Sequence, residues 1–337
     1  MKILTFINQA YHLIKPFTYF CFLILALFSS AQENLVLNPS FEEYNTCPSY
    51  NFPYYYVDRA ANWFMPTTGS SDYFNNCSIE PSPDGELAFS VPENYIGYQN
   101  ARTGAAYAGY YAGITSTNDD YHEYISVKLS QPLVKGKIFE LSYYVSLADS
   151  FYTSGLPLQY IDHSAAYLSN DSLAINNFLR IEHTPQVESM KNVFLNDSTG
   201  WQKVSGYFVA FGGESYLTIG CFAKFEDVQF NYMNEFTGQY VVAYYFVDDV
   251  SLIETDIELP NVFTPNQDGI NDFFSIPLNS ADYQIMNRWG NLVFDSKEMN
   301  SKVWDGTFNG QKCSDGTYFY IVKLEQLTLK GFIELIR

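Results

Sequence analysis

The chain has 337 residues, of which 47% are hydrophobic and 18% aromatic, a content sufficient for one large or two smaller hydrophobic cores. Its 18 basic and 37 acidic residues give a formal net charge of -19. Nucleic acid is therefore excluded as a partner, because phosphate binding needs clustered cations. Disorder over most of the chain is excluded by the same hydrophobic content.

The first 31 residues have the composition of an export signal. Lys2 and Lys15 form a basic region, the run from Phe17 to Phe28 is apolar, and small residues ending at Ala31 suit cleavage before Gln32. The alternative is a membrane anchor, for which the apolar run is short. We expect a signal peptide over residues 1–31 and export of the mature chain.

Short alternating segments rich in Tyr, Phe, Val and Ile follow the signal and are separated by Gly, Asn, Asp and Pro. This pattern predicts an all-β protein, with a jelly-roll β-sandwich over residues 32–253. The clearest strand patterns cover residues 139–147, 201–210, 216–222, 240–252 and 318–324. Helix is scarce, and the best candidate is a short excursion between strands over residues 171–181.

A domain boundary is indicated where an acidic stretch meets Pro260. Residues 32–257 contain 27 acidic and 9 basic residues, whereas residues 258–337 contain 10 and 7. We therefore predict a linker over residues 254–259 and a separate domain over residues 260–337.

Four cysteines follow the signal, in a compartment where disulfides persist. Cys47 and Cys77 lie in loop-like sequence rich in Pro and Asn, and we expect them to pair. On the chain-entropy model, closing that loop stabilises the fold by about 3 to 4 kcal/mol. Cys221 lies in a strand pattern and Cys313 in a turn of the other domain, so we expect both to be free.

The last 78 residues have the pattern of β-hairpins. Residues 287–291 predict one turn, and the dipeptide Asn309-Gly310 predicts another. About seven short strands at this spacing favour a small immunoglobulin-like β-sandwich. Aromatic residues are expected to supply its core: Trp289, Phe294, Trp304, Tyr318 and Tyr320.

The same region resembles the type B C-terminal domain of the type IX secretion system of Bacteroidota, also called the gliding-motility-associated C-terminal domain. The resemblance runs in order through residues 263–266, 268–272, 287–290, 304–307, 316–318 and 330–331. The residues expected to carry the sorting motif are Asn287, Arg288, Trp289, Gly290, Trp304, Asp305, Gly306, Lys330 and Gly331.

This resemblance implies that the chain crosses the outer membrane through the type IX translocon. It also implies an outer-membrane partner that recognises the C-terminal domain, and a location at the cell surface or outside the cell.

Oxygen-bearing side chains alternate around Gly269 in a way that favours calcium. Asn266, Asp268 and Asp272 are the candidate ligands. The alternative is a turn in which these side chains hydrogen-bond their own backbone.

The ends of the N-terminal module resemble carbohydrate-binding jelly rolls of the galactose-binding-like type. Residues 34–43 read NLVLNPSFEE and residues 245–252 read YFVDDVSL, and in that family these segments are adjacent strands. The resemblance implies a structural calcium ion held by Glu42 and by Asp248 or Asp249. The alternative is that only one aspartate faces inward, because strand side chains alternate.

A sugar-binding module would use aromatic faces to stack on sugars and polar groups to bind hydroxyls. The candidates are Trp63, Tyr73, Tyr98, Arg102 and Tyr110. Each has a competing role in the core or on a strand surface, because the chain contains 29 Tyr and 28 Phe.

Motifs of enzymes are missing from the sequence: it has no GxSxG elbow, no HExxH and no glycine-rich phosphate loop. We expect a non-enzymatic protein that binds glycan or another extracellular ligand. Two alternatives stay open: a structural adhesin or gliding component without a discrete ligand site, and a secreted hydrolase. A groove lined by aromatics would favour binding, and a buried carboxylate pair in a cleft would favour a hydrolase.

Overall fold

The computed structural model describes residues 32–49, 56–81, 88–115, 120–149, 159–233, 241–255, 260–276, 282–299, 301–323 and 328–337. The expected signal peptide, including Ala31, and most of the expected linker lie outside these residues. Two short 3-10 turns are present, Val57–Arg59 and Phe225–Asp227. Within the described ranges, no helix is long and apolar enough to cross a membrane.

The described residues before the linker form fifteen strands. Their bounds are β1 Trp63–Phe64, β2 Asp72–Asn75, β3 Glu93–Asn94, β4 Gly97–Tyr98, β5 Ala106–Thr115, β6 Asp120–Tyr121, β7 Tyr124–Lys128, β8 Ile138–Leu147, β9 Gln159–Ile161, β10 Ala165–Ser169, β11 Val187–Glu188, β12 Gln202–Val209, β13 Tyr216–Gly220, β14 Phe230–Tyr232 and β15 Val241–Glu254.

Eleven of these strands build two antiparallel sheets, and the pairs β3-β4 and β9-β14 are separate. Sheet A has the order β1-β7-β13-β10-β11, and sheet B has the order β12-β8-β15-β5-β2 with β6 paired to β5. The main hydrophobic core contains the inward side chains of both sheets, such as Ile125 and Leu217 from sheet A and Leu141 and Tyr245 from sheet B. The predicted all-β sandwich is confirmed.

In strand β8, the alternation of buried and outward-facing side chains determines the register of strand pairing. Phe139, Leu141 and Tyr143 alternate along it and are buried in the core, whereas Glu140 and Tyr144 point to the other side and are only partly buried. Burying each large apolar side chain stabilises the fold by about 1.5–3 kcal/mol, so a one-residue slip in register is strongly disfavoured.

Part of the outer face of sheet B is covered by residues 88–101, which we call the cover segment. Phe89 and Ile96 of this segment form a second buried cluster with Phe74, Tyr107 and Phe246 of the sheet. The cover segment therefore removes this half of the sheet from solvent.

Residues 34–43 lie beside β15, as the family resemblance implies, but they do not form a regular strand. The Asn34 amide bonds both Val250 O and Leu252 N, at 3.0 and 2.9 Å. Asn38 and Phe41 have positive φ angles of 49° and 61°, which turn the chain out of the extended conformation.

The candidate helix over residues 171–181 does not form. Its backbone N–H groups bond to neighbouring segments instead of to the preceding turn: Ile175 N donates to Pro66 O, and Ile181 N donates to the Tyr124 hydroxyl, each at 2.9 Å. Ile181 is buried beside Tyr124, so tertiary packing decides the conformation here.

The C-terminal region contains nine strands among its described residues. Their bounds are β16 Val262–Phe263, β17 Phe274–Ser275, β18 Asp282–Met286, β19 Leu292–Asp295, β20 Val303–Trp304, β21 Thr307–Phe308, β22 Gln311–Lys312, β23 Gly316–Lys323 and β24 Thr328–Leu335. Sheet C has the order β16-β24-β23-β18-β19, and the pairs β17-β20 and β21-β22 form two smaller sheets.

A separate core lies on one face of sheet C. Four of the five expected aromatics belong to it: Phe294, Trp304, Tyr318 and Tyr320. The expectation for Trp289 is wrong, because its side chain is 76% exposed. Trp289 lies in the turn between β18 and β19, where side chains point away from the core.

The expected disulfide between Cys47 and Cys77 is present, with a Cα–Cα distance of 6.0 Å. Cys221 and Cys313 are not joined in a disulfide, as expected.

Candidate functional site

Three carboxylates meet the loop formed by residues 102–106. Asp248 on β15 is fully buried, and its Oδ2 accepts hydrogen bonds from Arg102 N at 2.8 Å and Thr103 N at 3.3 Å. Its Oδ1 accepts from Asp249 N at 2.7 Å. Burial and the charge of Asp249 raise the pKa of Asp248 to about 8, while the three backbone hydrogen bonds act in the opposite direction.

Asp249 faces the same loop. Its carboxylate accepts hydrogen bonds from the hydroxyls of Ser40 and Thr103 and pairs with the guanidinium of Arg102. Burial acts to raise the pKa of Asp249, but these partners hold it below its usual value. Both adjacent aspartates reach one loop because Asp249 has φ 50° and a β-bulge follows Asp248.

Glu42 completes the group. Its Oε1 accepts hydrogen bonds from Ala105 N at 2.8 Å and Ala106 N at 3.1 Å. A Cβ atom at Gly104, whose φ is +65°, would lie 2.2 Å from the same oxygen. A larger residue at position 104 would therefore have a strained backbone and would displace the Glu42 carboxylate.

Calcium was expected at Glu42, Asp248 and Asp249. Among the residues described here, no three Asp, Glu, His or Cys side chains are grouped closely enough to hold a metal ion. Backbone N–H groups and Arg102 compensate the carboxylate charges instead. The residues as arranged do not form a calcium shell, and calcium at this loop stays a prediction.

In the loop over residues 266–272, the polar side chains hydrogen-bond backbone N–H groups of the same loop, which was the alternative to calcium binding. Asp272 accepts hydrogen bonds from Gln267 N at 2.6 Å and Gly269 N at 2.8 Å. Asp268 accepts from Ile270 N and from the Asn266 amide, at 2.7 and 2.9 Å. These are the bonds of an Asx-rich turn, and calcium here also stays a prediction.

Three of the five candidate sugar-binding residues are in the core. Trp63, Tyr73 and Tyr110 are each buried. Trp63 donates its indole N–H to Asn38 O, Tyr73 donates its hydroxyl to Phe41 O, and the Tyr110 hydroxyl bonds the Ser164 hydroxyl. The expectation that they contact a ligand is corrected, because none presents an accessible ring face.

Tyr98 and Arg102 remain accessible at the edge of the cover segment. The Tyr98 side chain is 54% exposed. The Arg102 guanidinium carbon lies 3.4 Å from the ring centroid of Tyr144, a cation–π contact that orients both groups. The neighbouring Gln99 amide donates to the Ser146 hydroxyl on β8, so this segment lies directly over sheet B.

Sheet B remains partly exposed beside the cover segment, on the outward side of β12, β8 and β15. We call this region the open strip, defined by Glu140, Tyr144, Lys203, Ser205 and Ser251. The cross-strand rows Lys203–Tyr144–Asp248 and Ser205–Ser142–Ser251 run through it, with Asp248 and Ser142 buried. Lys203 and Glu140 form an ion pair at 3.4 Å.

Two boundaries limit the open strip along the strands. At one end, the Trp201 indole donates to Asn100 O at 3.1 Å. At the other end, Ile138 and Tyr207 pack against the C-terminal core. The open strip therefore offers serine hydroxyls, an ammonium and a carboxylate, and its one tyrosine ring, that of Tyr144, lies under the Arg102 guanidinium.

A pair of acidic residues lies deep beneath the other part of sheet B. Asp72 accepts hydrogen bonds from the hydroxyls of Tyr95 and Tyr244, both at 2.7 Å, and Glu123 accepts from Ser70 N and Tyr111 N at 2.9 and 3.0 Å. Burial raises the pKa of both carboxyl groups, that of Asp72 to about 8. Both are sealed from solvent and do not line a cleft.

Reasoning from sequence missed Glu140, Tyr144 and Lys203. The strand alternation over residues 139–147 carried a signal for Glu140 and Tyr144, since they occupy the face opposite the buried Phe139 and Leu141. It carried no signal for the cation–π contact with Arg102, which depends on where the cover segment lies.

Comparison with protein families identifies the C-terminal region. Residues 257–335 match the CHU_C type IX secretion signal domain. The expected identity of this region is confirmed, and the match implies secretion through the type IX system and recognition of the domain by that machinery. No curated protein matches the chain.

Several solved structures share a likeness with the chain. The K1 cleaved adhesin domain of Lys-gingipain from Porphyromonas gingivalis is 12% identical, with a TM-score of 0.27, over 58% of this chain and 92% of that one. A Bacteroides thetaiotaomicron protein with a provisional sugar-binding assignment is 14% identical, with a TM-score of 0.27, over 66% of this chain and 100% of that one. The N-terminal cellulose-binding domain of glucanase C from Cellulomonas fimi is 12% identical, with a TM-score of 0.25, over 48% and 84%.

Proposed function

We propose that the chain is an exported, non-enzymatic surface protein whose N-terminal module binds a glycan at the open strip. Its C-terminal domain directs it through the type IX secretion system to the cell surface or the medium. An outer-membrane component of that system is the partner that recognises the domain.

The observation that carries the glycan proposal is the exposed ring of Tyr98 on the cover segment, next in sequence to Gln99, which bonds Ser146 of β8. An exposed tyrosine ring stacks on the apolar face of a sugar, and charged or hydroxyl groups nearby bind its hydroxyls. Tyr98 supplies the ring, and Lys203 and Glu140 supply a donor and an acceptor on the same side of sheet B. The Ser142 row adds hydroxyls without bulk, which leaves room over the strip.

A glycan and polysaccharide screen on the purified mature chain tests the proposal. We expect saturable binding that Tyr98→Ala and Lys203→Ala each weaken by about tenfold, the effect of losing one stacking or charged contact. Tyr44→Ala is the matched control, because Tyr44 is a tyrosine of similar exposure, 47%, on a segment away from the open strip. It should bind like the wild type.

Other outcomes separate the alternatives. Absence of binding by a folded chain would favour a structural adhesin without a discrete site, and release of reducing sugar would favour a hydrolase. The screen is repeated with calcium and with chelator. A loss of binding or of thermal stability on chelation would support calcium at Glu42, Asp248 and Asp249.

A further inference from the structure

Sheet C has one face in the C-terminal core and one face in solvent. The solvent face carries a continuous apolar row across four strands: Leu292 pairs with Met286, Met286 with Phe319, and Phe319 with Phe332. Phe319 is 47% and Phe332 is 52% exposed with the N-terminal module in place. We call these four residues the apolar row.

Trp289 extends this surface. It lies in the turn that joins β18 to β19, three residues after Met286 and three before Leu292. The turn is fixed by the Asn287 side chain, whose Oδ1 accepts hydrogen bonds from Trp289 N and Asn291 N at 3.0 Å. The exposed indole is therefore held at one end of the row by a rigid turn.

Two cations lie on opposite sides of the apolar row. A Cβ atom at Gly316 would lie 2.7 Å from Arg288 Nη2, which places this guanidinium against the first residue of β23. Lys330 lies on the other side, paired across the strands with Ile321. Within the described ranges of the chain, neither Arg288 nor Lys330 forms an ion pair.

The acidic residues on this face are engaged within the chain. Glu334 accepts a hydrogen bond from the Thr317 hydroxyl, and Asp295 accepts one from the Gln284 amide, each at 2.6 Å. Asp282 pairs with Lys302 at 2.7 Å. These bonds leave Glu334 and Asp295 ionised but occupy their oxygens, whereas Arg288 and Lys330 keep donors without an ion-pair partner in the described part of the chain.

We propose that the apolar row, together with Trp289, Arg288 and Lys330, is the surface by which the type IX secretion machinery recognises this domain. The occupant is a protein surface with apolar side chains bordered by carboxylates. This inference rests on the proposed sorting function, and it assigns that function to one face of the domain.

The exposed apolar surface and the charge of the chain favour a protein partner over a second copy of the chain or a lipid surface. Contiguous exposed apolar surface on a folded domain marks an interaction site, and aromatic residues with arginine dominate the energetics of such sites. The net charge of -19 opposes both a second copy of the chain and an anionic lipid surface.

The test uses the full chain in a bacterium that has type IX secretion machinery. Phe319→Thr/Phe332→Thr removes the centre of the apolar row while keeping residues suited to strands, and Arg288→Glu/Lys330→Glu reverses the two cations. We expect each double variant to lower the secreted fraction about tenfold, the effect of losing one binding hot spot. Phe308→Thr, at an exposed phenylalanine on β21 outside sheet C, is the control and should be secreted normally.

The readout is the amount of protein in the medium and on the cell surface relative to the periplasm. Thermal unfolding of each purified variant checks that it is folded, and the charge-reversal variant carries the test if the Phe variant is not. A truncation that removes residues 257–337 is measured in parallel.

The two proposals fail in different ways. If the truncation blocks secretion but both folded double variants are secreted normally, this surface is not the recognition surface and the sorting function stands. If the truncated chain is secreted normally, the sorting function and this inference are both overturned. Sedimentation that shows a dimer lost in the Phe variant, or binding to vesicles of phosphatidylethanolamine and phosphatidylglycerol lost in it, would replace the machinery with a second copy or a lipid surface.

Discussion

The hydroxyl of Tyr95 donates a hydrogen bond to Asp72 Oδ2 at 2.7 Å and so ties the cover segment to sheet B. Tyr244 of β15 donates to the same oxygen at the same distance. Burial first, and then the charge of Glu123, raise the pKa of Asp72 from 3.8 to about 8, while the two phenol hydrogen bonds act to lower it. Asp72 is therefore neutral in the folded chain at pH values where it is ionised in the unfolded chain.

This difference predicts a pH-dependent stability. The contribution of neutral Asp72 is fully present below its unfolded pKa near 3.8 and is lost as the pH rises through about 8. Between these two pH values, Asp72 lowers the free energy of unfolding by about 1.4 kcal/mol for each unit by which the pH rises. Asp72→Asn removes this titration but keeps an acceptor for Tyr95 and Tyr244, so the variant should lose this dependence on pH and be the more stable protein near pH 8.

The measurement is urea unfolding between pH 6.5 and 8. Burial lowers the pKa of His163 to about 4, so the unfolding slope from that group is confined to lower pH and does not interfere. Asp149→Asn, at an exposed position, serves as the control for an aspartate-to-asparagine change elsewhere on the protein. Identical slopes for Asp72→Asn and the wild type would contradict the account of Asp72.

Gly104 predicts a second effect on stability. Alanine there has both a positive φ and a Cβ atom 2.2 Å from Glu42 Oε1, whereas Gly136→Ala has a similar φ of +79° with nothing within 4 Å. We expect Gly136→Ala to cost about 1 kcal/mol and Gly104→Ala about 2–3 kcal/mol in denaturant unfolding. Equal losses would show that the contact with Glu42 does not matter.

The strands could be predicted from sequence because their signal is local. Residues 139–147 alternate apolar and polar side chains, and the structure places β8 at Ile138–Leu147. The adjacency of residues 34–43 and β15 also followed from sequence, through the family resemblance. The β-bulge after Asp248 did not, since no local pattern shows that both aspartates reach one loop.

The exposure of aromatic residues could not be predicted in the same way. Trp63 and Tyr98 both lie in polar, loop-like sequence, yet Trp63 packs on Phe41 with ring centroids 4.5 Å apart and Tyr98 is exposed. What separates them is the long-range packing of the cover segment and of residues 34–43. For Trp289 the turn signal at residues 287–291 was available, and it indicated an exposed position.

The disulfide predicts a third measurable effect. Cys47→Ser/Cys77→Ser opens a loop with a sequence separation of 30. The chain-entropy model gives a loss of about 3 to 4 kcal/mol of unfolding free energy. Cys313→Ser, at a free and partly buried cysteine, is the control and should change stability by less than about 1 kcal/mol. A loss confined to the control would contradict this assignment.

The two tryptophans of the C-terminal domain predict opposite behaviour in two assays. Trp304 is buried, donates its indole N–H to Thr307 O at 2.8 Å and packs on Phe263 and Tyr318 with centroids 5.1 and 5.2 Å away. Trp304→Ala should cost about 3–5 kcal/mol and unfold the domain, so that secretion fails together with folding. Trp289→Ala should leave the melting temperature unchanged and lower secretion alone. If Trp289→Ala also lowered the melting temperature by several degrees, its effect on secretion would reflect folding, and only the charge-reversal variant would then report on recognition.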